Sequence, residues 1–306
     1  MNVLVTGAGG NLGRVLVPAL EAIGHHVRVF DFRAVDLGAE SVVGDVRDHD
    51  DVARAVAGVD AIVHAAALHG IHLDSHAPEE YWSTNVTGTF NVYEAARLAG
   101  VRRIVLCSTM AVYGESAERT AGAWAVVTED LPPRPKDVYG LSKLLCEVLA
   151  QHYAVAHGMV TVALRLGMFV PETFERYGFR LLFGGVDDRE VADAVVRALA
   201  HDPDRGFDAF DVMADTPFDA SDARALATDP AAAIERYWPG TAALVEQLDL
   251  DLGELVWGWA VWPVEKAKRT LGYAPRFDFA AFLDALRRGD REHYPFAGLP
   301  QWGVGA

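Results

Sequence analysis

The sequence predicts an α/β fold, in which a doubly wound parallel sheet carries helices on both faces. Short apolar runs alternate with amphipathic stretches through the first half of the 306-residue chain. This alternation is typical of parallel strands that are joined by crossover helices. Continuous apolar runs, such as AIVHAAA, are typical of strands that are buried on both faces of a sheet.

Each predicted element of the first half has its own local signal. Strands are expected over the apolar runs NVLVTG, HVRVFDF, SVVGDV, DAIVHAAA, RIVLCST and VTVALRLG. Helices are expected over the amphipathic stretches LGRVLVPALEAIG, DHDDVARAVAG, EEYWSTNVTGTFNVYEAARLAG and VYGLSKLLCEVLAQHYAVAHG. Gly24, at the end of the first of these stretches, is a common kind of helix stop.

The regular alternation loosens after Leu166. A loop with a short helix is expected over PETFERYGFRLLFGG, a helix over DDREVADAVVRALAHD and a strand over FDAFDVMAD. From Pro217 onward the chain is rich in Asp, Pro and Trp. We therefore expect a larger core of residues 1–165, to which residues 186–213 return, and a smaller C-terminal lobe of residues 166–185 and 214–306.

Composition and charge narrow the classes of partner. The formal net charge of −16 argues against nucleic acid or an anionic membrane as the main partner. No apolar run approaches the roughly 20 residues that a membrane-spanning helix needs. The chain enters an apolar strand pattern at residue 2 without a basic segment or cleavage site. With only two cysteines, Cys107 and Cys146, no disulfide framework is expected, and we expect a cytoplasmic protein.

A glycine-rich turn joins the first predicted strand to the first predicted helix. It reads Gly7-Ala8-Gly9-Gly10-Asn11-Leu12-Gly13. Glycines let the backbone approach a pyrophosphate closely, and the following helix presents free N–H groups and the positive end of its dipole. The turn therefore predicts a dinucleotide site, although a tight turn without a ligand remains the alternative.

Two acidic residues end the next strands. Asp31 follows the second strand, where a carboxylate can accept hydrogen bonds from ribose hydroxyls and repel a 2′-phosphate. This position favours NAD over NADP, while the nearby Arg33 could neutralise a phosphate and is a contrary signal. Asp45 ends the third strand and is expected to face the adenine, unless it only closes a turn.

Tyr139 and Lys143 lie four residues apart in VYGLSK. Positions i and i+4 share one face of a helix. An ammonium group beside a tyrosine hydroxyl favours the phenolate and lowers the tyrosine pKa from about 10. This pair therefore predicts a tyrosine that acts as a general acid or base near neutral pH.

Together these motifs resemble those of the extended short-chain dehydrogenase/reductase family, the NAD-dependent epimerase/dehydratase superfamily. The resemblance covers most of the chain and rests on TGAGGNLG, GDVRD, HAAA, NVTGTFNVYEAA, IVLCSTMAVYG, YGLSK and KAKRTLGYAPRFDF. It implies a Rossmann-type core that holds NAD(P) and a smaller C-terminal lobe that binds the substrate. It also implies a homodimer that forms through two long helices, over residues 79–99 and 139–157.

The resemblance also implies roles for individual residues. Tyr139 matches the family's acid/base, Lys143 its activator and holder of the nicotinamide ribose, and Thr109 the residue that hydrogen-bonds the reacting oxygen. Further cofactor contacts are implied at Gly7, Gly10, Asn11, Leu12, Gly13, Asp31, Asp45, Val46, Ala65, Ala66, Ala67, Asn85 and Ser108. Hydride transfer requires the substrate carbon to lie near the cofactor while a base takes the proton from the substrate oxygen. The implied roles meet this requirement, because Tyr139 takes the proton and Thr109 orients the oxygen.

Departures from the family pattern reduce the number of reactions that are expected for this chain. Met110 and Ala111 stand where family dehydratases commonly carry an Asp-Glu pair, which argues against a sugar dehydratase. Met168 stands where nucleotide-sugar epimerases usually carry Asn, and the following segment is short, which is similar to uronate dehydrogenases. We therefore expect an NAD-dependent oxidoreductase that acts at a secondary alcohol or hemiacetal of a sugar-like substrate. A sugar or nucleotide-sugar epimerase and a non-catalytic NAD-sensing protein are the alternatives.

Three further groups of residues leave their role open. His69, His72 and His76 follow HAAA and are expected in a solvated loop or at the substrate, and no metal is expected. Arg176 and Arg180 are expected to be surface charges or ligands of a carboxylate or phosphate. The tryptophans of VWGWAVW are expected to form the core of the lobe, or else a platform for a sugar ring: Trp257, Trp259 and Trp262.

Overall fold

A computed structural model describes residues 1–118, 122–255 and 260–299. Seven of its strands form one parallel sheet, in the order β3-β2-β1-β4-β5-β7-β8. These strands are β1 Asn2–Thr6, β2 His26–Asp31, β3 Glu40–Val43, β4 Ala61–His64, β5 Arg103–Thr109, β7 Val160–Leu166 and β8 Phe207–Val212. A separate two-stranded parallel sheet contains β6 Ala125–Val126 and β9 Ala260–Val261.

Thirteen α-helices are present in the described parts of the chain. The helices up to the end of the sheet are α1 Asn11–Ala22, α2 His49–Val56, α3 Pro78–Tyr81, α4 Gly88–Ala99, α5 Val138–His157, α6 Phe174–Arg180 and α7 Asp188–Ala200. The remaining helices are α8 Ala223–Thr228, α9 Pro230–Glu235, α10 Thr241–Gln247, α11 Leu252–Leu255, α12 Glu265–Leu271 and α13 Phe279–Arg288. No helix among the described residues is both long and apolar enough to cross a membrane.

Alternate residues of the central strand β1 contribute to different cores. Val3 and Val5 belong to one hydrophobic cluster, which includes residues of α1 and α7, whereas Leu4 belongs to another, which includes residues of α2, α4 and α5. Side chains of a strand point alternately to opposite faces of the sheet. The sheet is therefore covered by helices on both faces, and the predicted doubly wound α/β fold is confirmed.

The chain reverses its direction of winding between β1 and β4. The strands β2 and β3 lie beyond one side of β1, and β4, β5, β7 and β8 lie beyond the other. In such sheets, ligands bind in the crevice at the carboxyl ends of the strands, where the order reverses. The motifs predicted at strand ends consequently meet along one edge.

A third hydrophobic cluster is formed mainly by residues of the C-terminal half. It contains aromatic residues of α6 and α13, including Phe174, Tyr177 and Phe282, and also Trp124 from the segment before α5. Trp262, by contrast, belongs to the cluster that includes α1, and its ring centroid lies 5.8 Å from that of Tyr113. Trp257 and Trp259 lie outside the described residues.

One predicted helix contains an irregular turn. Between α3 and α4 the chain forms a π-helical segment, Trp82–Thr87, so the long helix expected over residues 79–99 is continuous but not regular. A π-helical turn bonds residue i to i+5 instead of i+4 and is common at functional sites. The segment contains the buried residue Asn85.

Candidate functional site

A cavity of about 460 Å³ lies along the carboxyl ends of the parallel strands. It brings together most of the residues that the sequence singles out, although they come from the ends of five different strands and from α5. These lining residues are Gly7, Gly10, Asn11, Leu12, Asp31, Asp45, Val46, Ala65, Ala66, Ala67, Ser108, Thr109, Tyr139 and Lys143. Gly13 and Asn85 are not among the lining residues.

The glycine turn forms the floor of this cavity. Gly7 has a φ of +68°, and a Cβ there would meet the main chain of Ala66 at 2.6 Å. A Cβ on Gly13 would meet the carbonyl oxygen of Ala8 at 1.9 Å, so this glycine allows α1 to pack closely against the turn. Gly13 therefore shapes the turn from outside the cavity.

The start of α1 is open to an anion. Gly10 is the N-cap and provides no side-chain hydrogen bond, so the first N–H groups of the helix keep their donor capacity. The buried Oδ1 atom of Asn11 has no hydrogen-bond partner among the described residues. A close glycine turn, an uncapped helix start and an unsatisfied polar atom fit the pyrophosphate of a dinucleotide.

Asp31 is held by main-chain donors at one end of the cavity. Its Oδ2 accepts a hydrogen bond of 3.0 Å from the Gly9 N–H, and its Oδ1 accepts one of 3.2 Å from the Arg33 N–H. Arg33 also lines the cavity. The carboxylate is therefore placed beside the glycine turn, where the sequence predicts the ribose hydroxyls.

Asp45 forms an ion pair at the same end of the cavity. Its Oδ2 lies 2.5 Å from the Nη2 atom of Arg47, and hydrogen bonds from Arg47 hold the pKa of the Asp45 carboxyl below its ordinary value. Asn91 donates a hydrogen bond of 2.9 Å to the Val46 carbonyl and thereby fixes the adjacent main chain. We call this part of the cavity, formed by Asp31, Arg33, Asp45, Val46 and Arg47, the Asp31 end.

Thr109, Tyr139 and Lys143 gather at the other end. Thr109 is the last residue of β5, and Tyr139 lies in the first turn of α5, whose N-cap Asp137 accepts a hydrogen bond of 2.7 Å from the Gly140 N–H. The Thr109 side chain acts on the Tyr139 hydroxyl and lowers its pKa, against the larger effect of burial. The Nζ atom of Lys143 donates a hydrogen bond of 2.7 Å to the Cys107 carbonyl.

Segments after β4 and β7 complete this end of the cavity. The rings of His69 and Tyr139 have centroids 5.0 Å apart. Leu166 is the register partner of Thr109, and Gly167, Phe169 and Val170 follow it along the cavity wall. We call the part of the cavity that is formed by these residues the Tyr139 end; they are His69, Thr109, Tyr139, Lys143, Leu166, Gly167, Phe169 and Val170.

The predicted lowering of the Tyr139 pKa is wrong for the structure as described. Burial is the largest influence, and it raises the pKa of the Tyr139 hydroxyl above its ordinary value, while the hydrogen bond to Thr109 acts in the opposite direction. Helical spacing correctly places Lys143 on the cavity side of α5. It cannot show that the ammonium group hydrogen-bonds the Cys107 carbonyl, nor how deeply the phenol is buried.

Asn85 positions the loop that borders the Tyr139 end. Its Oδ1 accepts a hydrogen bond of 2.8 Å from the Leu68 N–H, and its Nδ2 donates to the Leu68 carbonyl at 3.0 Å and to the Ser142 hydroxyl at 2.8 Å. The resemblance implies a direct cofactor contact at this position. The structure instead buries the side chain between the loop and α5.

The loop histidines contact one another and the cavity. The His69 N–H donates to Nδ1 of His72 at 3.0 Å, and Nδ1 of His76 lies 3.1 Å from the Glu80 carboxylate. Burial, followed by the charge of Lys143, lowers the pKa of His69 to about 4. Within the described ranges, no group of three or more His, Cys, Asp or Glu side chains is arranged to hold a metal ion.

Arg176 and Arg180 lie in α6 and do not line the cavity. Arg180 is buried, and its Nε and Nη2 atoms donate to the Glu172 carboxylate at 2.9 and 2.6 Å. Arg176 lies 3.6 Å from the same carboxylate and 3.4 Å from that of Glu254. Neither arginine is placed to hold an anionic ligand in the cavity, and Arg180 is not a surface charge.

A buried polar network lies behind the Tyr139 end, and sequence reasoning missed it. The Ser108 hydroxyl donates to Glu147 at 2.6 Å, and Glu147 accepts two hydrogen bonds from Arg165, at 3.0 and 2.8 Å. Arg165 donates to the Tyr113 hydroxyl at 2.8 Å, which donates to Asp211 at 2.9 Å. Glu147 lies four residues after Lys143, so the same helical spacing could have indicated it.

Other lining residues were also missed, because most of them are apolar or glycine and carry no chemical signal. They are Phe30, Phe32, Gly44, Arg47, Leu68, Ile71, Glu80, Thr84, Cys107, Leu166, Gly167, Phe169 and Val170. Most of them lie near the ends of predicted strands, which is the only signal that the sequence offers for them, whereas Glu80 and Thr84 lie within a predicted helix.

Comparison with known proteins identifies related sequences. The model of the NAD dependent epimerase/dehydratase family matches residues 3–177. An L-arabinose 1-dehydrogenase (NAD(P)(+)) of Haloferax volcanii is 41% identical over 177 residues, which cover 54% of this chain and 66% of that protein. A UDP-glucose 4-epimerase of Streptomyces lividans is 38% identical over 52% of this chain and 50% of that protein. The alignments thus reach only half to two thirds of the length of these two relatives.

A longer alignment and the solved structures agree with this family. A uronate dehydrogenase of Pseudomonas syringae is 35% identical over 66% of this chain and 70% of that protein. A mutated uronate dehydrogenase superposes with a TM-score of 0.66 at 22% identity, covering 98% of this chain and 94% of the other. A UDP-galactose 4-epimerase superposes with a TM-score of 0.68 at 24% identity, covering 97% and 99%. At 22% and 24% sequence identity, these superpositions show that the fold is shared and show nothing further.

Proposed function

The chain belongs to the NAD-dependent epimerase/dehydratase family, and we propose that within it this protein is an NAD-dependent oxidoreductase. The proposed reaction is hydride transfer at a secondary alcohol or hemiacetal carbon of a sugar-like substrate. The observation that carries the proposal is the cluster of Thr109, Tyr139 and Lys143 in the cavity that also contains the glycine turn and Asp31.

The residues along the cavity floor would hold the cofactor. The glycine turn and the start of α1 would bind the pyrophosphate, Asp31 the adenosine ribose, and Lys143 the nicotinamide ribose. Asp45, Val46 and residues 65–67 would border the remaining surface, together with Ser108. When bound, NAD supplies the hydride acceptor at the Tyr139 end.

Three side chains would handle the substrate hydroxyl. Thr109 would orient the oxygen through a hydrogen bond, and Tyr139 would take the proton as general base. Burial favours the neutral phenol, so the Lys143 ammonium group has to stabilise the phenolate as it forms. In the direction of reduction, Tyr139 would return the proton to the same oxygen.

An epimerase remains the second candidate. Relatives include UDP-glucose 4-epimerases, and the Tyr139 end would serve transient oxidation equally well. An epimerase must hold its keto intermediate while the sugar turns, and the nucleotide tail usually provides that anchor. Here the segment of residues 166–185 is short and Met168 replaces the family's Asn, so we favour net oxidation or reduction.

The distinguishing experiment follows free NADH and the sugar together. Free aldoses, uronic acids and nucleotide sugars are incubated with the protein and NAD, with absorbance and NMR detection. We expect stoichiometric NADH from a free sugar. Formation of an epimer from a nucleotide sugar without net change in NADH would establish the alternative. If the wild type binds NAD but turns over none of these sugars, and the Tyr139→Phe variant behaves in the same way, the result would support a non-catalytic NAD-sensing protein.

We also propose a homodimer, a lobe that binds the substrate, and a cytoplasmic location. The outer surfaces of α4 and α5 expose several large apolar side chains, which are Phe90, Leu98, Leu141, Val148 and Val155. Contiguous exposed apolar surface is typical of an interface.

The hydrophobic cluster of α6 and α13 supports a separate lobe. Cys107 and Cys146 are both free thiols, which suits a reducing compartment.

A further inference from the structure

We propose that the substrate bound at the Tyr139 end is an uncharged sugar, such as an aldose, and not a uronic acid or a nucleotide sugar. This inference rests on the proposed function, because it names the class of molecule that the same site oxidises. It is drawn from the positions of the cationic side chains that line the cavity or lie close to the Tyr139 end, among the residues that the structure describes.

Within the parts of the chain that the structure describes, three lysine or arginine side chains line the cavity: Arg33, Arg47 and Lys143. Arg33 follows β2 and Arg47 follows β3, whereas Thr109 ends β5. In the sheet, β1 and β4 lie between β2 and β5. Adjacent strands are about 4.8 Å apart, so three interstrand steps separate Arg33 from Thr109 by about 14 Å. Arg33 and Arg47 therefore belong to the Asp31 end.

Lys143 is committed to another task. Its Nζ donates to the Cys107 carbonyl, and its charge is needed beside Tyr139 and the cofactor ribose. A substrate carboxylate that took this ammonium group would compete with the stabilisation of the phenolate. Lys143 thus offers no spare cation for an anionic substrate.

Arg165, Arg176 and Arg180 lie close in sequence to residues of the Tyr139 end, and all three contact carboxylates; Arg165 donates to Glu147. Glu172 accepts a bidentate pair of hydrogen bonds from Arg180, and the Leu255 carbonyl accepts another at 2.7 Å. Arg176 is shared between Glu172 and Glu254. To bind Arg180, an incoming carboxylate would have to displace an internal partner from a buried guanidinium group, which is unfavourable. Arg176 is 38% exposed, but it does not line the cavity.

Apart from Lys143, the described residues that form the Tyr139 end are apolar or neutral. Leu166, Phe169 and Val170 contribute hydrocarbon surface along the segment that follows β7. His69 accepts the Ile71 N–H on Nδ1 at 3.3 Å, so its neutral ring carries the proton on Nε2 and can donate to a sugar hydroxyl. Such a wall can hydrogen-bond hydroxyl groups, but a carboxylate there would be desolvated with no counter-charge other than the already committed Lys143, at a large cost.

Matched sugar pairs that differ only at C6 test the proposal. The values of kcat/KM are measured with saturating NAD for D-galactose against D-galacturonate and D-glucose against D-glucuronate, with UDP-galactose as a third class. We expect each neutral sugar that is a substrate to exceed its uronate by at least about tenfold, because an unpaired charge costs at least as much as a lost charged hydrogen bond. Equal or faster turnover of a uronate or of UDP-galactose would overturn the proposal.

Failure of the proposed function gives a different result from failure of this inference. If no sugar reduces NAD, the oxidoreductase proposal fails, and saturation-transfer NMR on the NAD-loaded protein then tests the charge preference directly. Binding of the neutral sugar in preference to its uronate would support the inference. Equal or stronger binding of the uronate, or binding of neither sugar, would overturn it.

A cation placed in the wall provides a second test. In Val170→Arg, we expect the ratio of uronate to neutral-sugar turnover, or of binding, to rise about tenfold, since a charge-assisted hydrogen bond becomes available. Val170→Gln is the matched control, with a polar side chain but no charge, and should leave the ratio near that of the wild type. An unchanged ratio in a folded Val170→Arg variant would contradict the claim that the missing cation sets the preference.

Discussion

The ammonium group of Lys143 donates a hydrogen bond of 2.7 Å to the carbonyl oxygen of Cys107, two residues before Thr109 in β5. This contact joins the first two turns of α5 to the end of β5. Because Tyr139 lies one helical turn before Lys143, the same contact fixes the phenol relative to Thr109. The geometry of the three side chains is therefore built into the junction of one strand and one helix.

Tyr139→Phe should fold and bind NAD but lose about 10²–10⁴-fold in turnover, the usual range for general acid–base assistance. The ring contacts with His69 and Tyr81 do not require the hydroxyl. Calorimetry measures NAD binding and steady-state kinetics measure kcat. Tyr153→Phe, which removes a hydroxyl from the same helix outside the cavity, is the control. Near-wild-type turnover of Tyr139→Phe with an unchanged pH profile would exclude Tyr139 from the mechanism.

Asp31→Ala should weaken NAD binding by about tenfold and reduce discrimination against NADP. The carboxylate has two ordered main-chain donors and lies beside the predicted ribose site, and hydrogen bonds to charged groups are typically worth about 1.5–3 kcal/mol. Titration of both cofactors by calorimetry measures the change. Asp36→Ala, at an exposed position in the same loop, is the control. If the wild type binds NADP as tightly as NAD, Arg33 outweighs the acid.

The Asp188→Asn substitution should increase the free energy of unfolding more at pH 8 than at pH 5. Burial, and next the charge of Asp187, raises the pKa of Asp188 to about 8. The folded protein therefore keeps a proton that the unfolded chain releases above about pH 4. As a result, the free energy of unfolding of the wild type falls as the pH rises toward 8. Asn cannot ionise, and the gain at pH 8 should be about 1–3 kcal/mol.

Thermal unfolding of the wild type and of Asp188→Asn at both pH values provides the measurement. Asp284→Asn changes an exposed carboxylate in α13 and should alter stability little at either pH. If the stability advantage of Asp188→Asn over the wild type is smaller at pH 8 than at pH 5, the expected sign is contradicted.

The double variant Val148→Asp/Val155→Asp should be monomeric. These side chains are 51% and 87% exposed on the outer face of α5, and burying two unpaired carboxylates in an apolar interface is strongly unfavourable. Light scattering after size-exclusion chromatography measures the mass. Val43→Asp, at a 52% exposed position of β3, is the control and should stay dimeric. A monomeric wild type would remove the dimer proposal.

The sequence predicts the sheet well because buried parallel strands are short, apolar and bounded by polar turns. Tyr139, Lys143 and Asp31 could be placed in one cavity because each lies at a strand end or in the first turns of a helix that follows one. The pairing of Arg180 with Glu172 was not predictable, since Glu172 precedes α6 and helical spacing does not fix its position relative to that helix. The pKa of Tyr139 was mispredicted because helical spacing gives the shared face but not the depth of burial.

The π-helical segment Trp82–Thr87 changes the rotational phase of the helix that contains it. Each added residue turns an α-helix by about 100°, so residues before and after this segment face neighbours that a regular helix would not give them. Asn85 reaches both Leu68 and Ser142 from within the segment. Deletion of one residue there would restore ordinary helical spacing and rotate the amide away from the His69 loop. Redesign of this helix by regular spacing, or alignment of relatives without a gap here, would therefore misplace a side chain that hydrogen-bonds both the loop and α5.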